Sequence, residues 1–176
     1  MLKLIIATAN GNDHAIGCNN KLLEHIPEDL RYFQAQTTNQ VVLMGNTTMK
    51  SLRALGMENG LPNRHNVVLS RTPKKTTFLK EGETTYITDL KFFLEWGTMY
   101  ANNVLEKDVW VVGGSQIYSQ LKDYVQEIHH SCINKTYEDA DCFFDMSWVE
   151  DEEVFEKVSE EVLCDDVVVK VYRKRL

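Results

Sequence analysis

Asp29 is the side chain in this sequence best placed to do chemistry. It stands in the stretch Ile26-Pro27-Glu28-Asp29-Leu30-Arg31-Tyr32-Phe33, where a proline followed by two acids marks the start of a helix that runs on to Thr38. Asp29 and Phe33 are four apart and share a face, with Leu30 beside them. A core-facing stripe is apolar throughout and turns its acids to water. Two readings follow. Asp29 is a first-turn acid that complements the helix dipole, or it is a carboxylate in an apolar cleft that binds a cationic or amidine-like heterocycle.

Three further junctions carry chemistry. Val41-Val42-Leu43-Met44 reads as a short buried strand ending at Gly45, with Asn46-Thr47-Thr48 opening a helix to about Ala54. Backbone N–H groups at such a junction suit a phosphate, and the plainer reading is an N-cap by Asn46. A second strand, 109–112, runs into Gly113-Gly114 and a helix to about Leu121. Paired glycines let a ligand approach the backbone closely, although this is not a GxGxxG dinucleotide fingerprint. A third strand, 66–71, ends in the basic residue Arg71. Together the three ends suggest a long ligand lying across the carboxyl ends of an open sheet.

The elements that must position these groups alternate. Leu2 to Ala9 is apolar throughout, as a strand covered on both faces would be. Residues 10–14 form a turn cluster and 15–25 read as irregular. A fourth short strand is expected at 84–87, a helix at 90–96, an insertion at 97–107, and late strands at 126–134 and 166–173 with a weaker one near Val154. Strands alternate with helices to about residue 121 and then follow one another. The pattern predicts an α/β fold with a mostly parallel central sheet, flanking helices and an antiparallel C-terminal hairpin, in one domain spanning residues 1–176.

The totals narrow the function. The chain has 176 residues, 43% hydrophobic and 26% charged, enough for one domain with a real core. A net charge of −7 disfavours nucleic acid or an anionic membrane surface as a general partner. No apolar run of about 18 residues is present, and Met1 to Ala9 reads as a strand rather than a signal peptide. Cys18, Cys132, Cys142 and Cys164 form no CxxC pair and suit a reducing cytoplasm. His129 and His130, adjacent in a strand, point to opposite faces and cannot chelate one metal as a pair, so no metal is expected.

The residues that match a known family are Ala15-Ile16-Gly17 with Asn19, Ile26 to Phe33 with Thr37, and Val42 to Gly45 with Thr48, Ser51 and Leu52. Leu61-Pro62-Asn63-Arg64, Asn66 to Arg71, Val112-Gly113-Gly114 with Ile117-Tyr118, and Ala140-Asp141 with Phe143-Phe144 follow. In this order and spacing the chain resembles the dihydrofolate reductase family along nearly its whole length. The resemblance implies a monomer that reduces 7,8-dihydrofolate with NADPH, serves one-carbon metabolism and thymidylate synthesis, and binds antifolate-like molecules. Asp29 would pair with the pterin ring N3 and 2-amino group, as an electrostatic and positioning residue rather than the direct proton donor. Ser131 would hydrogen-bond that acid, and Arg64 would grip the glutamate α-carboxylate. Leu30, Phe33, Leu52 and Leu61 would form the apolar walls, Val112 and Tyr118 would close the pocket, and Thr8 and Ala9 would supply a backbone edge. For NADPH, Ala9 and Ile16 would flank the nicotinamide, and Gly17, Gly45 and Leu69 would also bind the cofactor. Gly113, Gly114, Ser115, Gln116 and Ile117 would carry the pyrophosphate, across a bond that is cis in the family. Asn46, Thr47 and Thr48 would take the second phosphate position, and Ser70 and Arg71 would meet the adenosine 2′-phosphate.

The chain departs from the family twice. Leu23 and Glu24 stand where the family usually has Pro-Trp, and Glu24 either faces solvent or brings a second carboxylate near Asp29. Asn46, and Gln116 in comparison with some members, replace basic residues, which leaves Arg71 most of the 2′-phosphate charge and implies weaker NADPH binding. Two other readings therefore stand beside the reductase: a folate-fold binding or structural module without catalysis, and the related pyrimidine reductase of riboflavin synthesis.

Overall fold

The computed structural model describes residues 1–76 and 78–176. In chain order the elements are β1 (Leu2–Ala9), β2 (Ala15–Gly17), α1 (Pro27–Thr37), β3 (Val41–Gly45), α2 (Asn46–Ala54), β4 (His65–Leu69), β5 (Thr84–Ile87) and α3 (Leu90–Phe92). After a π-helical turn at Phe93–Gly97 come α4 (Thr98–Asn103), β6 (Val109–Gly113), α5 (Ser115–Leu121), β7 (Glu127–Ile133), β8 (Cys142–Phe143), β9 (Phe155–Cys164) and β10 (Val167–Lys174). The strands form one sheet in the order β5-β4-β3-β6-β1-β7-β10-β9, and β2 joins the end of β1 and pairs with β8. Pairing is parallel from β5 to β7 and antiparallel at β7–β10 and β10–β9. The mostly parallel sheet with its C-terminal hairpin is the architecture that the alternation of elements predicts.

The period of two along each strand sends side chains to two faces. Leu4, Ile6, Val41, Leu43, Val67, Val109 and Val111 pack into one core cluster. Their neighbours Ile5, Val42, Met44, Val68 and Trp110 pack with Met49 of α2 into another. Burying each large aliphatic side chain contributes about 1.5–3 kcal/mol, so this doubly covered sheet is a rigid platform for what lies at its ends. Parallel β4, β3 and β6 are adjacent, so Gly45, Ser70 and Gly113-Gly114 lie side by side at the carboxyl ends of these strands.

Four local expectations are corrected. Residues 15–25 are not wholly irregular, because β2 pairs at Ala15 with Ala9 of β1. The helical segment beginning at Leu90 does not stop at Trp96 but continues to Asn103. Gly97 does not break it: a Cβ there would lie 2.4 Å from the Phe93 ring, so the glycine admits that ring. The weak strand near Val154 is the ten-residue edge strand β9. Finally, Asn46 is the first residue of α2 and Gly45 holds the cap position without a side-chain capping bond, so Asn46 is not an N-cap.

Candidate active site

Pro27 occupies the first turn of α1 after an extended Ile26, and Asp29 follows on the face toward the sheet. Ser131, buried on β7, donates its hydroxyl to Asp29 Oδ1 at 2.6 Å. Burial pushes the Asp29 carboxyl above its ordinary value, and the Ser131 hydroxyl pulls it partly back. A half-buried carboxylate that keeps one acceptor oxygen free of Ser131 can receive N–H donors from a ligand. The helix dipole alone gives no reason for Asp29 to face β7.

The β1 register decides what surrounds this acid. Ala7 pairs with Ser131 and Ile5 with His129, so Ile5, Ala7 and Ala9 share the Asp29 side of the sheet. Thr8 points the other way: it is fully buried, and Oγ1 lies 2.7 Å from His130 Nε2. Thr8 therefore offers the cleft only its backbone. Ala7 and Ile5 are the β1 residues that sequence reading missed, because the face becomes legible only once β1 is paired with β7. The adjacent histidines do face opposite sides, His130 toward Thr8 and His129 toward Tyr32. Burial, with smaller contributions from His14 and Lys170, pushes His130 down to about 3, so it is neutral at physiological pH.

Phe33, Leu52, Leu61 and Val112 are half-buried and pack on the cluster of Ile5, Val42, Met44, Met49, Val68 and Trp110, forming one apolar wall. Leu30 is half-buried but lies outside that cluster. Tyr118 is buried beneath Gly113, and its hydroxyl donates to the Ile5 carbonyl at 2.8 Å. Arg64 lies at the outer end of the wall. Its Nε and Nη2 donate to Thr37 Oγ1 at 3.2 and 3.0 Å, and Nη1 donates to the Pro62 carbonyl at 2.7 Å. The guanidinium sits 5.8 Å from the Phe33 ring centre, and among the described residues no carboxylate pairs with it. Partial burial lowers its proton affinity. A fixed guanidinium with N–H groups to spare suits a ligand carboxylate.

The glycine junctions meet at the other end of the cleft. The Gly113–Gly114 peptide is cis, as the sequence match implies, and Gly113 has φ +119°. A Cβ on Gly45 would lie 3.9 Å from both Gly113 O and Gly114 N, and one on Gly114 would lie 3.6 Å from Thr48 Oγ1. The starts of α2 and α5 thus abut with their backbones bare. Arg71 is exposed and lines an open groove of about 480 Å³ with Ser115, Gln116, Ser119, Gln120 and Phe143. Ser70 differs: it is buried, and its hydroxyl is engaged with the backbone of Thr72. Asn46 and Thr48 are half-buried, Thr47 is exposed, and Ile117 is buried beneath the α5 turn. Leu69 and Ile16 pack against the core.

The segment leading into α1 is fastened to the loop after β7. Gly11 N–H donates to Lys135 O, Asn12 bonds Tyr137, Asp141 accepts the Asn19 N–H, and Asp141 N–H donates to Gly17 O. Glu24 forms an ion pair with Lys135 at 2.9 Å, which in turn lies 3.8 Å from Asp166. Of the two orientations open for Glu24, the structure adopts the one on the surface, away from Asp29.

A family model described as dihydrofolate reductase matches residues 1–172 of this chain. Among curated relatives, the dihydrofolate reductase of Neisseria gonorrhoeae is 30% identical over 145 residues, covering 82% of this chain and 80% of the relative. The dihydrofolate reductase of Haemophilus influenzae is 28% identical over 158 residues, covering 88% and 85%. A solved structure of dihydrofolate reductase from Enterococcus faecalis, complexed with NADP(H) and RAB-propyl, superposes with a TM-score of 0.75 at 23% identity, over 100% of this chain and 97% of that one, and shares the fold.

Proposed function

Since the chain belongs to the dihydrofolate reductase family, we propose that it reduces 7,8-dihydrofolate to tetrahydrofolate with NADPH. The observation that carries this reading is Asp29, half-buried on the cleft side of α1 and held by the Ser131 hydroxyl at 2.6 Å. Its carboxylate accepts from the pterin ring N3 and 2-amino group. That pair orients the ring, and its negative charge favours the protonated pterin. Phe33, Leu52, Leu61 and Val112 cover the apolar middle of the substrate, and Arg64 receives the glutamate α-carboxylate.

The residues present fit the cofactor. The bare backbones of Gly45, Gly113 and Gly114 form a cradle that side chains would fill, and Arg71 stands in the adjoining groove. When bound, NADPH supplies the hydride. Gly113 to Ile117 and Asn46 to Thr48 would hold its phosphates, Ala9, Ile16 and Gly17 its nicotinamide end, and Arg71 with Leu69 and Ser70 its adenosine end. Because the Ser70 hydroxyl is engaged with Thr72, Arg71 carries the charge for a 2′-phosphate. The same reading makes the protein a cytoplasmic monomer of one domain over residues 1–176 that supplies one-carbon metabolism and is open to antifolates. The outward turn of Glu24 leaves Asp29 without that neighbouring carboxylate, which favours an active enzyme over a module that has lost catalysis.

Loss of NADPH absorbance on adding dihydrofolate, run for wild type beside Asp29→Asn, tests the proposal. Turnover in wild type and near-abolition in a folded Asp29→Asn is expected. An inactive wild type refutes the reductase, and normal turnover in the variant refutes the role of Asp29.

A further inference from the structure

A buried polar chain that the reductase reading leaves unused runs behind the pocket acid. Glu127, His129 and Ser131 alternate along β7, so all three face α1. Ser131 meets Asp29, and His129 Nδ1 lies 2.5 Å from the Tyr32 hydroxyl, three residues further along α1. His129 Nε2 lies 2.7 Å from Glu127 Oε1. Glu127 is flanked by a cation on each neighbouring strand, Arg173 of β10 at 3.0 Å and Lys3 of β1 at 3.4 Å. Burial alone would raise the Glu127 carboxyl, but the bonds from His129 and Arg173 and the charge of Lys3 outweigh it and keep the group ionised.

An ionised Glu127 can only accept, and burial lowers the proton affinity of His129, so the neutral ring donates its Nε2–H to Glu127 and turns a bare Nδ1 to the Tyr32 O–H. The Trp110 ring packs edge-on at 4.9 Å and fixes the imidazole plane. Of the α1 residues, all of which are described, only Thr37 is fully buried, and it lies at the end of the helix far from Asp29. Tyr32 and Phe33 pack on the cluster of Ile5, Met44 and Trp110, and at the Asp29 end two hydrogen bonds, two residues apart on β7 and three apart on α1, add a fixed register.

We propose that His129, held by Glu127, is a positioning residue for the pocket acid: it fixes Tyr32 and so keeps the Asp29 carboxylate on Ser131. The inference rests on the reductase reading for its effect on turnover, and on geometry alone for its effect on Asp29. The charged groups facing this chain from the packed elements are Lys3, Arg173, Asp29 on α1 and Glu161 on β9.

The test compares Tyr32→Phe, His129→Leu, the double variant and His129→Gln, whose amide can both accept from Tyr32 and donate to Glu127. Each of the first two should lower kcat/KM for dihydrofolate about tenfold, the factor that one buried hydrogen bond of ordinary strength corresponds to. KM for NADPH should not change. The double variant should be no worse than the poorer single, and His129→Gln should recover most of the loss. In the ligand-free proteins, the Asp29 carboxyl, followed by carbon-13 NMR, should titrate at higher pH than in wild type, in the direction expected for Ser131→Ala. Losses that multiply in the double variant, or kcat/KM and an Asp29 titration that match wild type, overturn the proposal. An inactive wild type refutes the reductase reading instead, and the Asp29 titration still decides the positioning role.

Discussion

Ser131→Ala isolates the contact on which the site depends. The hydroxyl is buried and 2.6 Å from Asp29 Oδ1, and its removal takes one donor from an ionised carboxylate without adding bulk. A hydrogen bond to a charged group contributes about 1.5–3 kcal/mol, so complete loss corresponds to about a ten- to hundredfold fall in kcat/KM for dihydrofolate. Asp29 is only half-buried, so water replaces part of the lost bond and the lower end of that range is expected. The pH dependence adds a second signature. Burial raises the Asp29 carboxyl and Ser131 opposes this, so deleting Ser131 raises it further. Less of the enzyme then carries the ionised acid at a given low pH, and the acid limb of the kcat/KM profile moves to higher pH. The defect is therefore largest in acid and smallest where Asp29 is ionised in both proteins. Initial rates of NADPH consumption across the pH range measure both signatures. A ratio of wild type to Ser131→Ala that stays near one, or an acid limb that does not move, refutes the argument that Ser131 sets the charge state of the pocket.

The remaining predictions concern the ends of the cleft and the stability of the fold. Arg64→Leu should raise KM for dihydrofolate by about ten- to hundredfold, the equivalent of one charged hydrogen-bonded contact, while a dihydropterin without the glutamate tail is turned over as by wild type. Gly113→Ala forces an L-residue to φ +119° and sets its Cβ 3.3 Å from the Tyr118 hydroxyl that serves the Ile5 carbonyl; strain and the threatened buried bond together cost about 2–5 kcal/mol, read as a fall in the urea midpoint. Asp29→Asn should stabilise the protein while abolishing turnover. The folded state binds the Asp29 proton more tightly than the unfolded chain, so wild type loses stability as pH rises from the ordinary carboxylate value through the raised folded one. The gain in Tm of Asp29→Asn over wild type should therefore be present at neutral pH and fade in acid.

The parts of this molecule that were legible in the sequence are those whose signal is local. Pro27 and the acids after it start α1 where observed, and Gly45 and Gly113-Gly114 end their strands at the cleft. β9 was faint because its middle is exposed on both faces, so no apolar alternation marks an edge strand carrying Glu156, Lys157, Glu160 and Glu161. The helix expected over 90–96 runs on past Gly97 because Phe93 fills the space a side chain there would need, a contact between two positions that the sequence does not display. The roles of Ala7, Tyr32 and His129 were hidden for a different reason. Each depends on which face of β1 or β7 meets α1, and Tyr32 and His129 are 97 residues apart in the chain. Pairing register is long-range information that no short window contains.

The exchange of Pro-Trp for Leu23 and Glu24 is best understood through the same logic of charge. A carboxylate entering the cleft would face Asp29, and two like charges at close range push one of them to protonate. Here Glu24 turns onto Lys135, itself near Asp166, so the new charge is neutralised at the rim. The segment leading into α1 is then fastened by an exposed ion pair and by hydrogen bonds to Lys135, Tyr137 and Asp141. Exposed ion pairs are screened by salt, while apolar contacts strengthen slightly in many salts. The fastening of that segment therefore depends in part on ionic strength. Raising ionic strength should loosen this segment by weakening the Glu24–Lys135 pair, seen as faster amide hydrogen exchange over residues 10–25, and Glu24→Gln should remove that salt dependence.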